Sequence, residues 1–267
     1  MTAGHILKEI KITSTSNEYI KKLKRAFSAR ADKSGIFLIE GRKMLEEALG
    51  SGWSVETVIY DGARADISEI SNLGDDARVI SADKRVIEYL SDTVSPQGIV
   101  AAVRMKRGQT ATLSGRYGLV LDGVRDPGNL GTLIRTSEAF GSGFVIAYDC
   151  CDPYSPKSVR STMGSIFRQN IYCIGDCDTL KELIEAGGYR LIGAADRAES
   201  RAIHELDKSF KSAVVIGSEA AGISMQIGRM CDEFVRIPMA GRVESLNAAM
   251  AGGVLLWEFY KEKSGVF

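Results

Sequence analysis

The residues of this chain that are best suited to chemistry lie in three stretches of its C-terminal half. They are LVLDGVRDPGNLGTLIRTSEAFG (119–141), AVVIGSEAAGIS (213–224) and IPMAGRVESLNAAMAGGVLL (237–256). The first two run from β-branched apolar residues through a glycine turn into polar residues, which predicts a buried strand with functional groups at its carboxyl end. In the third, a Ser-Leu-Asn triplet precedes an apolar helix. Ser245 is predicted to cap that helix, and capping is also the alternative role of Asn247. We expect the three loops to converge on one pocket.

In this order, the three stretches resemble the motifs of the SpoU (TrmH) family of RNA ribose 2′-O-methyltransferases. The resemblance covers the chain from residue 116 onward and includes a fourth segment, VRSTMGSIFR (159–168), between the first and second motifs. It implies an α/β fold of the SPOUT class, with a mostly parallel sheet and a C-terminal trefoil knot, although no residue pattern by itself reveals a knot. It also implies S-adenosylmethionine as cofactor, RNA as substrate and a homodimer.

The resemblance assigns catalytic positions to five polar residues, namely Asn129, Arg135, Glu219, Ser245 and Asn247. The guanidinium of Arg135 suits a ribose or phosphate oxygen because its donors form a fixed fork. Since arginine stays protonated, we expect it to position the hydroxyl rather than to remove its proton, and a structural ion pair is the alternative. Glu219 is expected to pair with Arg135 or to bind a loop amide. Asn129 can instead shape its own Pro-Gly-Asn turn.

The cofactor positions implied by the resemblance are Gly217, Gly222, Ile237, Met239 and Leu246. Gly217 has no Cβ, so the backbone there can approach a cofactor closely, although a tight turn alone would also favour glycine. Ile237 and Leu246 would supply apolar walls. Without the resemblance, both would be interpreted as core residues.

Positive and negative charges balance over the whole chain, but basic residues are in excess near the N-terminus. Net charge is zero, yet residues 1–43 carry ten basic and four acidic side chains. This excess favours contact with a polyanion, although a solvated helix face is the alternative interpretation. The candidate RNA contacts are Lys21, Lys22, Lys24, Arg25, Arg160 and Arg168.

The order of predicted elements divides the chain into two α/β domains. Residues 1–107 alternate strands and helices, including a short helix over ISEISNLG (67–74), residues 108–116 are a polar linker, and residues 117–267 form the methyltransferase domain. The motifs FLIEG and PQGI in the first part resemble the substrate-binding domain found in many members of the family, a domain similar to a ribosomal-protein RNA-binding fold.

Composition narrows the class of protein further. Five scattered cysteines without a CxxC pair and only two histidines argue against a metal site and favour a reducing compartment. No apolar run approaches membrane-spanning length and no secretory signal is present, so we expect a cytoplasmic protein.

The leading hypothesis is 2′-O-methylation of structured RNA, with ribosomal RNA preferred. Methylation of tRNA and a catalytically silent RNA-binding or assembly protein are the alternatives, whereas a dehydrogenase lacks the required GxGxxG motif.

Overall fold

The computed structural model describes residues 10–28, 35–68, 70, 73–74, 76–106, 112–243 and 245–264. Two compact units make up the chain, the first being Met1–Gln109 with Tyr154–Phe167 and the second Thr110–Pro153 with Arg168–Phe267. The predicted domains differ from these units at the linker 108–116, which is not a separate part, and at one later segment. The segment 154–167, expected in the second domain, belongs by its contacts to the first unit.

The first unit is built on a mixed sheet of five strands. In sheet order these are β1 (Ile10–Ile12), β4 (Arg78–Ala82), β3 (Val55–Tyr60), β5 (Ile99–Arg104) and β2 (Ile36–Glu40). Strands β1 and β3 run parallel to β4, whereas β5 is antiparallel to both β3 and β2. The helices of this unit are α1 (Glu18–Ser28), α2 (Arg42–Gly50), α3 (Lys84–Leu90) and, from later in the chain, α5 (Pro156–Thr162). Ile20 and Leu23 of α1 are buried in one core with the apolar residues of α3 and the sheet.

An aromatic cluster explains why 154–167 packs with the first unit. The rings of Phe37 and Trp53 lie with their centroids 5.9 Å apart, and Phe167 lies 5.6 Å from Trp53. The Trp53 indole N–H also donates a hydrogen bond of 2.8 Å to the Phe167 carbonyl. A truncation of residues 1–107 would therefore remove the apolar surface on which this later segment packs.

The second unit is built on a parallel sheet. In sheet order its strands are β10 (Arg201–Ala202), β12 (Glu233–Arg236), β9 (Arg190–Ala194), β11 (Ser212–Gly217), β6 (Tyr117–Asp122), β7 (Val145–Tyr148) and β8 (Ile171–Ile174). Every pairing recorded within this sheet is parallel. Its helices are α4 (Pro127–Ala139), α6 (Cys177–Gly187), α7 (Met225–Gly228) and α8 (Ala248–Ser264). Because parallel strands are buried on both faces, β6 and β11 are almost continuously apolar, as their sequences predict.

Helix α8 packs against α4 through a close approach at Gly252. A Cβ atom at Gly252 would lie 2.3 Å from Cδ2 of Leu133, so only glycine fits without movement. Leu255 and Leu256 of α8 are fully buried in the same core as Leu133. This packing holds α8 against α4, directly after the third motif loop.

The structure differs from the predicted elements at a few short segments. The strands β1 and β10 and the helix α7 have no counterpart in the sequence prediction, because each has four residues or fewer. The predicted helix at 67–74 is absent from the residues described there, and residues 69, 71 and 72 lie outside the described part. Residues 107–111 also lie outside it, but the remaining linker packs on the second unit, where Tyr189 donates a hydrogen bond to the Gly115 carbonyl. Among the helices that the structure describes, none is both long and apolar enough to cross a bilayer.

Candidate active site

The first motif loop joins the buried end of β6 to helix α4. Asp126 caps the helix by accepting a 2.8 Å hydrogen bond from the Asn129 amide, and Pro127 occupies the first turn, where no amide partner is needed. Gly123 has a φ of 72°, which lets the chain turn directly after the strand. At the strand end, the buried Asp122 carboxylate accepts a 2.7 Å hydrogen bond from the Ser224 amide. This bond ties the first loop to the second.

The second motif loop folds back on itself immediately after β11. Ser218 and Gly222 form a two-way backbone bridge, with N···O distances of 3.0 and 2.9 Å. A Cβ atom at Gly217 would lie 2.1 Å from the carbonyl carbon of Gly222 and 2.3 Å from the Ile223 nitrogen. The protein's own backbone therefore requires glycine at position 217, in agreement with the tight-turn interpretation, and a role of Gly217 beside the cofactor remains a prediction.

The third motif loop runs from the end of β12 to the start of α8. The side-chain oxygen of Asn247 accepts hydrogen bonds from the amides of Ala249 and Met250, at 2.9 and 3.3 Å. Asn247 therefore caps the helix, and the prediction that Ser245 does so is wrong. Helix α8 begins at Ala248, so Ser245 is too far from the unpaired amides of the first turn. Asn and Ser are comparable caps, and the sequence pattern alone does not choose between them.

A short hydrogen-bond network joins the three loops through side chains. Asn129 donates from its side-chain amide to Glu219 Oε1 at 2.6 Å, and its side-chain oxygen accepts from Asn247 Nδ2 at 3.1 Å. One residue from each motif thus contributes to the network, and the Asn247 end continues into the start of α8. The convergence expected from the sequence is present in the second unit.

A cavity of about 350 Å³ lies at the carboxyl ends of β9, β11 and β12. Its lining includes all five residues assigned above to the cofactor: Gly217, Gly222, Ile237, Met239 and Leu246. Two residues assigned to catalysis, Glu219 and Ser245, line it as well. That these residues bind a cofactor remains a prediction, but they surround one space.

Arg135 stands apart from this network. It lies on the exposed side of α4 and is not part of the cavity lining. Within the described part of the chain it has no recorded ion pair or hydrogen bond, so the alternative of a structural ion pair finds no partner there. Glu219, considered above as its partner, instead accepts from Asn129.

The candidate RNA contacts have different surroundings. Lys22 and Arg25 are exposed on α1, whereas Lys21 pairs with Glu18 at 2.8 Å. Burial lowers the pKa of Lys24, and the Asp92 carboxylate partly opposes that shift. Arg160 on α5 is exposed and pairs with Asp92 in the first unit, and Arg168 pairs with Glu138 of α4 in the second.

Two acidic residues at strand ends were missed by sequence reasoning. Asp122 holds the second loop, and Asp196 lines the cavity just after β9. Both lie at the carboxyl ends of segments predicted as strands, LVLDGV and RLIGAAD, so the rule that ligands bind at the carboxyl ends of parallel strands would have found them. Asp122 lies within the first motif stretch but was given no role there, whereas Asp196 lies outside all three stretches.

These features define an α/β protein with a parallel sheet and a ligand-sized cavity at its carboxyl edge. The chain belongs to the SpoU rRNA Methylase family, whose sequence model matches residues 116–257. A second family model, the MRM3-like substrate binding domain, matches residues 17–101. The family resemblance inferred from the motifs is thereby confirmed.

Similar proteins are known along nearly the whole chain. An uncharacterized tRNA/rRNA methyltransferase of Synechocystis is 33% identical over 260 residues, which is 94% of this chain and 94% of the relative. The 23S rRNA (guanosine(2553)-2′-O)-methyltransferase RlmP of Bacillus subtilis is 31% identical, over 92% of this chain and 97% of the relative. Among solved structures, the S-adenosylmethionine-bound rRNA methyltransferase of Sinorhizobium meliloti superposes with a TM-score of 0.85 at 29% identity, covering 96% of this chain and 98% of that one.

Proposed function

We propose that the protein transfers a methyl group from S-adenosylmethionine to a ribose 2′-hydroxyl in structured RNA, with ribosomal RNA as the substrate. The observation that carries this proposal is the joining of three motif loops by Asn129, Glu219 and Asn247 beside a single cavity. Relatives along the full chain bear rRNA methyltransferase names, which supports ribosomal RNA as the substrate class.

The residues around the cavity fit the proposed cofactor. A volume of about 350 Å³ is within the range that small-molecule sites occupy. The side chains of Ile237 and Leu246 supply apolar surface for an adenine ring, and the loop backbone beside them supplies hydrogen bonds. The carboxylates of Asp196 and Glu219 line the cavity together with Arg236, which lies 3.9 Å from Asp196, so two negative charges and one positive charge leave a net negative charge for a cationic ligand. S-adenosylmethionine, when bound, supplies an electrophilic methyl group.

In this proposal, Arg135 positions the RNA rather than removing a proton. A guanidinium has donors only and stays protonated near neutral pH, so it binds the ribose hydroxyl and a flanking phosphate through its fork. Its exposure leaves those donors available to RNA. The hydroxyl proton then passes to water or to a phosphate oxygen of the RNA. Asn129 keeps the three loops aligned while the oxygen is placed.

The first unit is proposed to bind the substrate RNA. The MRM3-like substrate binding domain model, which matches residues 17–101, supports this role. Lys22 and Arg25 present exposed positive charge on α1, and phosphate contacts of this kind make binding salt-dependent. Arg168 lies in the second unit and is a weaker candidate for an RNA contact, because Glu138 already pairs with its guanidinium.

We further propose a homodimer that uses the outer face of α8. Met250 and Trp257 are 63% and 37% exposed, although both are large and apolar. A face of this kind is more often found at an interface than on a free surface. Light scattering on the wild type and on Trp257→Glu tests the proposal, since the charge should produce a monomer.

The trefoil knot and the cytoplasmic location are also proposals. The proposal of a knot follows from the family resemblance, and it is compatible with the packing of α8, which follows the third motif loop, against α4 and β11. An experimental electron-density map traced through residues 237–256 tests it. The location is supported by five free thiols, which suit a reducing compartment, and fractionation of cells tests it.

Transfer of labelled methyl groups tests the function directly. Purified protein is incubated with labelled S-adenosylmethionine and with either rRNA or tRNA from cells that lack the gene. We expect label in rRNA, at a 2′-O position located by alkaline-hydrolysis mapping. Label in tRNA alone would show that tRNA, the alternative considered above, is the substrate. Binding of rRNA without any cofactor binding in a calorimetric titration would support the catalytically silent protein.

A further inference from the structure

A second cavity, with a volume of about 260 Å³, lies within the first unit. Three motifs noted in the sequence line it: FLIEG through Leu38–Gly41, PQGI through Gln97, and VRSTMG through Val159, Arg160 and Met163. Apart from Arg160, none of these residues has a role in the proposed methyl transfer. Their convergence on one space calls for a separate function.

Gln97 lies beside the backbone turn at Gly41 in this cavity. Gly41 has a φ of +88°, and a Cβ atom there would lie 2.7 Å from the side-chain oxygen of Gln97. The Gly41 amide donates a 2.9 Å hydrogen bond to the Ile99 carbonyl, which joins the two motifs through the backbone. Gln97 is exposed and makes no recorded hydrogen bond to any described residue. Its amide is therefore available to a ligand as both donor and acceptor.

The walls of the cavity are aliphatic. Leu38 and Ile39 of β2 line one part and Val159 of α5 lines another. Met163 ends α5 in a left-handed conformation with φ of 50°, and its side chain remains 48% exposed at the cavity. Apolar side chains of this kind can sandwich an extruded base. The volume lies just below the usual range of about 300–1,000 Å³ for drug-sized ligands, so it suits a single ring system.

Charged groups surround this apolar space. Lys43 lines it and is exposed, without a recorded partner among the described residues. Arg160 pairs with Asp92 at 3.3 Å, but both side chains are about half exposed, so the ion pair is weak and the guanidinium can turn to a phosphate. Lys24 of α1 interacts electrostatically with the same Asp92 carboxylate. Two carboxylates, those of Glu40 and Asp92, line the cavity. Glu40 accepts a hydrogen bond from the Thr93 hydroxyl, and Asp92 pairs with Arg160.

We propose that this cavity binds one unpaired nucleobase of the substrate RNA. Gln97 hydrogen-bonds to the edge of the base, Met163 covers its face, and Lys43 and Arg160 contact the adjacent phosphates. Proteins recognise RNA sequence mainly through unstacked bases that are read at their edges and stacked on side chains. The inference rests on the function proposed above and adds to it a recognition site in the first unit.

The test compares a double variant with a matched control in the full-length protein. Gln97→Ala/Met163→Ala removes the edge contact and the covering side chain. Met225→Ala/Gln226→Ala removes the same two residue types from exposed positions on α7, outside both cavities. Filter binding measures affinity for an unmodified 23S rRNA transcript across a salt series, and calorimetry measures S-adenosylmethionine affinity.

The cavity variant should bind the transcript at least about fivefold more weakly, because each stacked base contributes measurably to affinity. The slope of log affinity against log salt should not change, since no charge is removed, whereas Lys43→Ala should reduce that slope by about one. The control variant should match the wild type. Cofactor affinity and the urea unfolding curve followed by circular dichroism should be the same for all variants, which shows that both units remain folded.

Cross-linking identifies the base directly. A transcript containing 4-thiouridine and 6-thioguanosine, irradiated on the wild type, should attach to the peptide that carries Met163. Unchanged rRNA affinity in the double variant, or a reduced salt slope in it, would overturn the base-binding inference. If the wild type methylates rRNA while the cavity variant behaves like it, only the cavity inference fails. If the wild type neither binds nor methylates rRNA, the proposed function fails and the inference fails with it.

Discussion

Replacing Gly217 with alanine tests whether the second loop is fixed by the protein's own backbone. The new Cβ would lie 2.1 Å from the Gly222 carbonyl carbon and 2.3 Å from the Ile223 nitrogen, and both neighbours are backbone atoms that cannot swing aside. Overpacking in a core destabilises proteins by roughly 1–3 kcal/mol, and we expect about 3 kcal/mol here because main chain must move. The loop that moves lines the cavity, so cofactor binding should weaken by about tenfold or more, equivalent to about 1.4 kcal/mol.

Gly175→Ala is the matched control. Gly175 directly follows β8 in the same sheet, as Gly217 ends β11, but a Cβ at Gly175 meets no atom within 4 Å. Urea unfolding followed by circular dichroism gives the stability of both variants, and calorimetry gives their affinity for S-adenosylmethionine. If Gly217→Ala were as stable as Gly175→Ala and bound the cofactor equally well, the close-approach argument would be refuted.

Three further predictions concern single side chains. Arg135→Ala should lower methyl transfer by about 100-fold or more through loss of positioning, while leaving S-adenosylmethionine affinity and stability nearly unchanged; a parallel loss of cofactor binding in calorimetry would make the residue structural. Asn129→Ala breaks both inter-loop hydrogen bonds, so we expect a loss of about 1 kcal/mol in stability and a larger fall in turnover; equal activity of variant and wild type would contradict a role in alignment. Burial raises the pKa of the Cys150 thiol to about 12, whereas the pKa of a cysteine thiol in the unfolded chain is about 8.5. The stability that this difference contributes is present below about pH 8.5 and lost as the pH rises toward 12. Urea unfolding at pH 8 and pH 10 should therefore show a smaller decline in Cys150→Ala than in the wild type, and equal declines would argue against the raised pKa.

Much of the fold follows from apolar patterning. Strands such as β6 and β11 are predicted because buried parallel strands are continuously apolar, and α6 is predicted by its helical period and its glycine end. The assignment of 154–167 to the first unit could not be predicted in this way. That placement depends on the aromatic contacts of Phe167 with residues more than a hundred positions earlier, and no local pattern encodes such a contact.

The candidate site was predictable as a set of residues but not as a set of contacts. The motifs identify Asn129, Glu219 and Asn247, but a resemblance does not say which side chain bonds to which. The cap of α8 shows the limit, because Ser245 and Asn247 are both good capping residues. In the structure α8 begins at Ala248, and that boundary leaves Asn247 as the residue within reach of the unpaired amides.

The cavity in the second unit is shaped by contacts that need no ligand. Asp122 accepts a hydrogen bond from the Ser224 amide, and Asn247 caps the start of α8. The backbone of Gly222 lies against Gly217. Binding to a preformed site avoids the entropic cost of ordering loops, so more of the interaction energy appears as affinity. The proposed function therefore assigns cofactor binding and RNA positioning to different parts of the second unit. In the proposed function, the cofactor lies at the sheet edge that these contacts shape. Arg135 lies exposed on α4 without a recorded partner in the described chain, where it is accessible to an incoming RNA.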